Sequence, residues 1–460
     1  MRFYNREEEL SALEKACSSN NAEMIVISGR RRIGKSRLVD EFLKDKDAAK
    51  VLVVPKEEKQ VAEDFARALK DKEYAPSFNN VKEALDYFFT KSGSRILYID
   101  EFPNLVEVNS ALPYEFQRAW EHYRARTDKV LIFSGSYVRM MDRIFTQQKA
   151  PLFSRAGYSI ILQPLSLRTI WKMQDDLGVE NPMEKIRNYC IFGGIPFYYE
   201  LIEKRGKEDV VNALFFDVAA TLKEEGQNIL RQEFGAAYKK YFSIIEAIGA
   251  GLVTPSEIAN RLGTAQTTLS KYMASLQKDF RLIDRTVPYG QNPSRSKKGL
   301  YTIKDSLIAF WFTNVNGKTT PPSEKEVNDF VSRRFEPFCR EFLAEQVADG
   351  GAVVRTGRWW GAVRTGPDKS EQREIDVVVE TQENVYLGEC KWTGEKMGIR
   401  ELDHLKASAK ALKTKKPIKW VLFSKSGFGI KESDDLLLFD PGAIAASIKH
   451  REPLPHTRSG

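Results

Sequence analysis

The chain has 460 residues, 42% hydrophobic and 11% aromatic, an ordinary globular composition too long for one core, so about three or four domains are expected. No run approaches the about 18 consecutive apolar residues of a membrane helix, and the charged opening MRFYNREEEL lacks an export-signal core, which points to the cytoplasm. The net charge of +8 suits a polyanionic partner without requiring one, and the scattered Cys17, Cys190, Cys339, Cys390, His122, His404, His450 and His456 form neither a disulfide framework nor a zinc motif.

Phe3 to Leu13 reads as a helix with Asn5 as N-cap and Glu7, Glu8 and Glu9 in its first turn. It fits either a support for the base of a bound nucleotide or a plain capped surface helix. Next comes SGRRRIGKSRLV, Ser28 to Val39, which matches G-x-x-x-x-G-K-[ST] at Gly29, Gly34, Lys35 and Ser36. The apolar run Met24 to Ile27 before it suits a buried parallel strand, and Arg37 to Leu43 after it has helical spacing. Strand, glycine-rich loop and helix is the geometry that wraps backbone N–H groups around a phosphate at a helix N-terminus. The candidate phosphate-binding set is Gly29, Arg30, Arg31, Arg32, Ile33, Gly34, Lys35, Ser36 and Arg37. Lys35 would reach the β- and γ-phosphates of ATP, and Ser36 would hold Mg²⁺.

Val51 to Val54 is a second strand, and Gln60 to Lys70 and Asn80 to Thr90 are amphipathic helices. Ile96 to Glu101, ILYIDE, is an apolar strand ending in two acids. Asp100 is the expected Mg²⁺ ligand and Glu101 the residue that polarises an attacking water, although acids also follow strands as helix caps. Val130 to Phe133 leads into Ser134-Gly135-Ser136, either a contact to the γ-phosphate or the attacking water, or a plain turn. Arg155, in APLFSR ahead of the strand Ser159 to Leu162, is a candidate to meet the γ-phosphate, with a solvated arginine as the alternative.

Ser166 to Arg231 is mostly helical, broken by Phe192-Gly193-Gly194-Ile195-Pro196, as in a hinged lid or a simple corner. Tyr241 to Gly249, Thr254 to Leu262 and Gln266 to Asp279 have helix-turn-helix spacing, and Arg281 to Thr302 resembles a β-wing with Arg295, Lys297 and Lys298 at its tip. Such a unit either contacts DNA or serves only for packing. Gly317 to Ser323 has linker composition.

Beyond it, Val331 to Ala348 reads as a helix bearing Glu336, Val353 to Arg355 and Arg358 to Trp360 are extended, and Arg373 to Val379 and Val385 to Trp392 form a hairpin. Alternation puts Glu389 and Lys391 on one face, within reach of Asp376. Asp376, Glu389 and the Cys390 carbonyl make an oxygen-rich Mg²⁺ site, Lys391 would position the metal-bound water, and Glu336 would either add a further ligand or hold a metal-bound water. A solvated Glu–Lys pair is the bland reading of the same hairpin.

Taken together, FYNREEEL, GRRRIGKSRLV, ILYIDEF, LIFSGS, APLFSRAG, FGGIPFYY and YTIKDSLIAFWF resemble the archaeal-type ATPases of the signal-transduction (STAND) group, relatives of AAA+ proteins. Phe335-Glu336, Asp376 and Glu389-Cys390-Lys391 resemble the PD-(D/E)xK restriction-endonuclease-like domain often appended to them, with Ile375 where the proline usually stands. The resemblance implies a multidomain α/β protein: a P-loop NTPase with a parallel sheet (1–165), a helical lid (166–235), a winged helix (236–316) and a restriction-endonuclease-like α/β domain (323–460). It implies an ATP-dependent switch joined to a Mg²⁺-dependent DNA-cleaving domain. Alternatives are an ATP-gated regulator or scaffold with an inactive nuclease-like domain, and a transcription regulator. DNA is the expected partner, a membrane is not, and a homo-oligomer or protein partner stays open.

Overall fold

The structure is a computed structural model that describes residues 2–71, 74–205, 209–347, 352–364 and 369–449. His450, His456 and the expected helix end at Ala348 lie outside the described residues. Contacts divide the chain into one unit of Met1–Pro164 with Ile195–Phe197, and another of Leu165–Gly194 with Tyr198 onward. No helix among the described residues is long and apolar enough to cross a membrane.

The first unit is built on five strands: β1 (Glu23–Ser28), β2 (Ala48–Leu52), β3 (Ile96–Asp100), β4 (Val130–Gly135) and β5 (Tyr158–Ile161). All pair in parallel, in the order β2-β3-β4-β1-β5. The central strands are apolar on both faces because helices cover both; β4 is buried along its whole length. One core joins Met24, Val51, Leu97 and Phe133 to the helices Glu58–Ala68, Val81–Thr90 and Leu112–Tyr123. Parallel strands aim their carboxyl ends the same way, so the loops after β1, β3 and β4 gather at one edge. At the amino terminus the helix Glu7–Cys17 starts one residue later than Asn5 predicts: Arg6 occupies the N-cap position, with no side-chain capping bond. Arg6 instead donates to Glu9 at 2.8 Å and to the Gln163 carbonyl at 2.7 Å.

The second unit begins with the helices Leu167–Asp176 and Pro182–Phe192, capped by Ser166 and Asn181. Further on come Tyr238–Gly249, Pro255–Arg261 and Gln266–Lys278, then an antiparallel pair β6 (Ile283–Thr286) and β7 (Leu300–Ile303). Thr254 and Glu257 form a reciprocal capping box at the second of these helices. The helix expected from Val331 starts earlier, at Glu324, and reaches Val347 with Pro337 inside it.

Five more strands complete this unit: β8 (Val353–Arg364), β9 (Ser370–Thr381), β10 (Val385–Lys391), β11 (Ile418–Ser424) and β12 (Leu436–Phe439). Their order is β12-β11-β10-β9-β8. The pairs β8–β9 and β9–β10 are antiparallel; β10–β11 and β11–β12 are parallel, the first connected through the helix Ile399–Ala409. The two extended pieces expected before Trp360 are one strand with irregularities, the second between Gly357 and Trp359. There a single β8 residue, Arg358, faces Asp376 and Val377 of β9. Such a bulge re-aims side chains.

Candidate functional site

The phosphate loop folds as its residues require. Gly34 has φ +98°, open to glycine and costly for other residues, and the helix Lys35–Phe42 starts directly after it. A Cβ on Gly29 would lie 3.0 Å from the Leu162 carbonyl, so the close strand-to-strand approach needs glycine there too. Lys35 is buried at 5% exposure. Its ammonium donates to the Gly29 carbonyl at 3.0 Å, the Arg30 carbonyl at 3.1 Å and Ser136 Oγ at 2.7 Å.

Opposite the loop, β3 delivers Asp100 and then Glu101, whose left-handed backbone (φ 52°) swings its carboxylate toward the end of β4. Ser36 Oγ donates to Asp100 Oδ2 at 2.7 Å. Glu101 accepts from the Ser136 N–H at 3.0 Å and from its hydroxyl at 2.5 Å. Ser134 donates to Asp100 Oδ1 and lies 2.9 Å from the Tyr98 hydroxyl. The one proton of Ser134 is committed to Asp100, so Tyr98 is the donor in that pair. Burial, then the Asp100 charge, raises the Tyr98 hydroxyl's pKa, which keeps it a donor.

Lys35, Ser36, Asp100 and Glu101 thus converge as their sequence positions suggest. Sequence reading missed Tyr98, which looks like one more strand residue. It also missed Ile195–Phe197, which group with the phosphate loop's unit. Pro196 lies 4.0 Å from where a Cβ on Gly34 would stand, and the Arg32 guanidinium sits 4.2 Å from the Phe197 ring centroid. The Gly-Gly-Ile-Pro break was the available signal. The site fits a magnesium–triphosphate: a buried ammonium already bonded to oxygens, and a hydroxyl paired with a carboxylate.

Arg155 is not part of this arrangement. It donates to Glu121 at 3.0 Å and to the Phe153 carbonyl at 2.9 Å. With Glu23, Trp120, Arg124 and Gly157 it lines a shallow cleft of about 810 Å³. Glu23 starts β1 and the phosphate loop follows its end, so five residues of strand, roughly 17 Å, separate the two. Within one chain Arg155 therefore does not meet the γ-phosphate.

The second candidate site lies where β9 and β10 part. Their ladder ends at Gly388 opposite Val377; beyond it Asp376 Oδ2 accepts from the Cys390 N–H at 3.0 Å, a side chain in place of a strand carbonyl. Asp376 is 7% exposed, and burial, then Glu336 and Glu389, push its pKa well above the usual carboxylate range. Glu389 rises to about 7, through burial first and the Glu374 charge second. Its Oε2 is buried without a hydrogen-bond partner. Glu374, two residues before Asp376 and on the same face, was missed, though the period-two pattern could have found it.

Lys391 donates to Glu401 at 2.8 Å, on the helix after β10, and this bond first of all lowers Glu401 to about 2. Glu336 does not join Asp376 and Glu389 as a metal ligand. Arg358 lies 3.4 Å and Arg340 3.9 Å from its Oε2, and among the described residues no three His, Cys, Asp or Glu are arranged to hold a metal. What fits a divalent cation is the smaller oxygen set of Asp376, Glu389 with its orphaned oxygen, and the Cys390 carbonyl.

Residues 3–203 match a family described as an ATPase domain predominantly from Archaea. Residues 315–402 match one described as Archaea bacterial proteins of unknown function. The uncharacterized protein MJECL04 of Methanocaldococcus jannaschii is 29% identical over 404 residues, 85% of this chain and 87% of its own. The uncharacterized ATP-binding protein MJ0423 of the same organism is 48% identical over 44 residues, 10% of this chain and 75% of its own. The Walker-type ATPase PABY2304 of Pyrococcus abyssi has a similar fold, with TM-score 0.51 at 18% identity over 67% of this chain and 96% of its own. The amino-terminal unit is a P-loop ATPase domain with a parallel sheet, and further helices and a second large sheet follow it.

Proposed function

We propose, from the premise of a P-loop ATPase domain, that this protein is a cytoplasmic switch that binds and hydrolyses ATP with Mg²⁺ to control a DNA-cutting domain. In this reading residues 1–165 form the ATPase domain, 166–235 a helical lid, 236–316 a winged helix and 323–460 a restriction-endonuclease-like domain. The phosphates are held by the loop Gly29 to Arg37, with Lys35 on the β- and γ-oxygens. Ser36 and Asp100 hold Mg²⁺, which neutralises charge on the transferring phosphoryl group. Glu101 orients the attacking water.

The observation that carries the nuclease half is Asp376 bonded to the Cys390 N–H beside the orphaned oxygen of Glu389. The element order, helix, three antiparallel strands, helix and a parallel strand, supports the same reading. Asp376, Glu389 and the Cys390 carbonyl would hold Mg²⁺, which supplies an activated water and neutralises phosphodiester charge. Lys391 would leave Glu401 to orient that water. In the experiment, purified protein is incubated with supercoiled DNA and Mg²⁺, with ATP, ADP or no nucleotide. Nicking lost in both Asp376→Ala and Lys391→Ala, with ATPase retained, supports the reading; nicking that persists in both refutes it.

A second reading keeps the ATPase and makes the carboxy-terminal sheet a DNA- or protein-binding scaffold. The Lys391–Glu401 ion pair favours it, since it occupies the one lysine that cleavage needs. Manganese titration separates the two: a Mn²⁺ site lost in Asp376→Asn belongs to the nuclease reading, and Mn²⁺ binding unchanged by that substitution to the scaffold.

A further inference from the structure

The loop between β6 and β7 is tied into the carboxy-terminal sheet, and the tie reaches the acid cluster. Its shape is fixed from within. Arg285 of β6 donates to the Pro293 and Ser296 carbonyls, each at 2.6 Å, and the Ser296 hydroxyl lies 2.7 Å from Gln291 Oε1. Near its start, Tyr289 docks on β8. The Tyr289 N–H donates to the Arg358 carbonyl at 2.8 Å, and its hydroxyl donates to Glu380. The Arg355 guanidinium lies 5.0 Å from the Tyr289 ring centroid and donates to the Gln291 carbonyl at 3.3 Å. The ring packs against the sheet's apolar core, and Lys416 backs Glu380 at 2.7 Å.

Arg358 is the residue where these contacts meet. It sits in the bulge opposite Asp376 and Val377, so its carbonyl is turned out to Tyr289 while its guanidinium reaches Glu336 at 3.4 Å. One residue is thus held at its backbone by the loop and at its side chain by the acid cluster. The same loop carries Arg295, Lys297 and Lys298, all exposed. The helix before β6 presents exposed Gln266, Thr267 and Lys271. Phosphate-binding charge beside a polar helix face matches duplex DNA.

We propose that Arg358 is a positioning residue coupling duplex DNA on the β6–β7 loop to the acid cluster around Asp376, with Tyr289 as the clasp. This rests on the DNA-cleaving reading above. A duplex that engages Arg295, Lys297 and Lys298 shifts the seat of Tyr289 on Arg358, and with it the arginine's hold on Glu336. Linkage makes the coupling reciprocal: a change at the acids alters duplex affinity.

The test follows backbone hydrogen exchange in the full chain with and without a short duplex. Wild type is expected to change exchange in β8 and around Glu336. Tyr289→Ala is expected to lose that response while the duplex still protects the helix Gln266–Lys278 and ATPase is unchanged. Arg358→Ala loses the response around Glu336, and Arg358→Lys restores part of it. Should Tyr289→Ala fail to fold, Tyr289→Phe, which lacks only the bond to Glu380, is expected to show a reduced response. Exchange in β8 that ignores the duplex in wild type, a response undiminished in the Tyr289 variants, or no duplex binding overturns the proposal. A coupled response in a protein that never nicks DNA leaves the clasp standing and removes the nuclease reading instead.

Discussion

Ser136 Oγ lies 2.7 Å from the Lys35 ammonium, and the same hydroxyl donates to Glu101. A single serine at the end of β4 therefore holds together the cation meant for the phosphates and the carboxylate meant for the water. Ser136→Ala is expected to lower kcat for ATP hydrolysis by about a hundredfold, the lower end of what a positioned general base contributes. Nucleotide affinity should change less, because Lys35 keeps the Gly29 and Arg30 carbonyls. Steady-state ATPase assays alongside calorimetric ATP binding check this. Equal losses in both would mean Ser136 serves the loop rather than Glu101.

Tyr98 acts one step further back, through Ser134 onto Asp100. Tyr98→Phe keeps the ring in the core and removes only the donor, at a stability cost of about 1 kcal/mol for a buried hydrogen bond. The expected outcome is a severalfold rise in the Mg²⁺ concentration for half-maximal ATPase, with kcat at saturating Mg²⁺ little changed. An unaltered Mg²⁺ dependence would make Tyr98 a packing residue.

The ATPase half was legible in the sequence because its chemistry is local. Ile96 to Glu101 and Gly29 to Ser36 are contiguous runs whose parallel strands must end at one edge. Arg155 was misjudged because that rule says which edge the strand ends share, and Arg155 precedes β5, at the opposite edge. In the second site, alternation put Glu389 and Lys391 on one face, within reach of Asp376 across the hairpin. It could not foresee the bulge at Arg358, or that Arg358 of another element would meet Glu336 beside its own helix's Arg340. Pairings made across long sequence separations leave no local pattern to read.

Arg155 yields a prediction of its own. Its guanidinium bonds Glu121 on the helix Leu112–Tyr123, and this bond first of all holds the Glu121 carboxyl below its usual range. Arg155→Ala should leave single-turnover ATP hydrolysis in dilute monomer within about twofold. Its stability loss should stay near 1 kcal/mol, as for surface ion pairs. A loss of hydrolysis beyond about tenfold under those conditions would put the arginine back at the phosphates.

Glu345 gives the clearest pH dependence. It lies on the helix Glu324–Val347, accepts from the Leu167 N–H at 3.3 Å, and is pushed up to about 7, by burial first and the Glu341 charge second. A carboxyl whose pKa is raised on folding stabilises the fold fully below its unfolded value near 4.5 and loses that contribution as pH climbs through 7. Glu345→Gln keeps a neutral acceptor for the Leu167 N–H at every pH. The variant should match wild type near pH 5 and exceed it near pH 8 by on the order of 1 kcal/mol, seen as a higher unfolding midpoint. Midpoints for both proteins across that range, in buffers of constant ionic strength, decide it. Parallel curves for variant and wild type would show that Glu345 does not titrate in this window, and a variant less stable at pH 8 would mean that its charge is needed there.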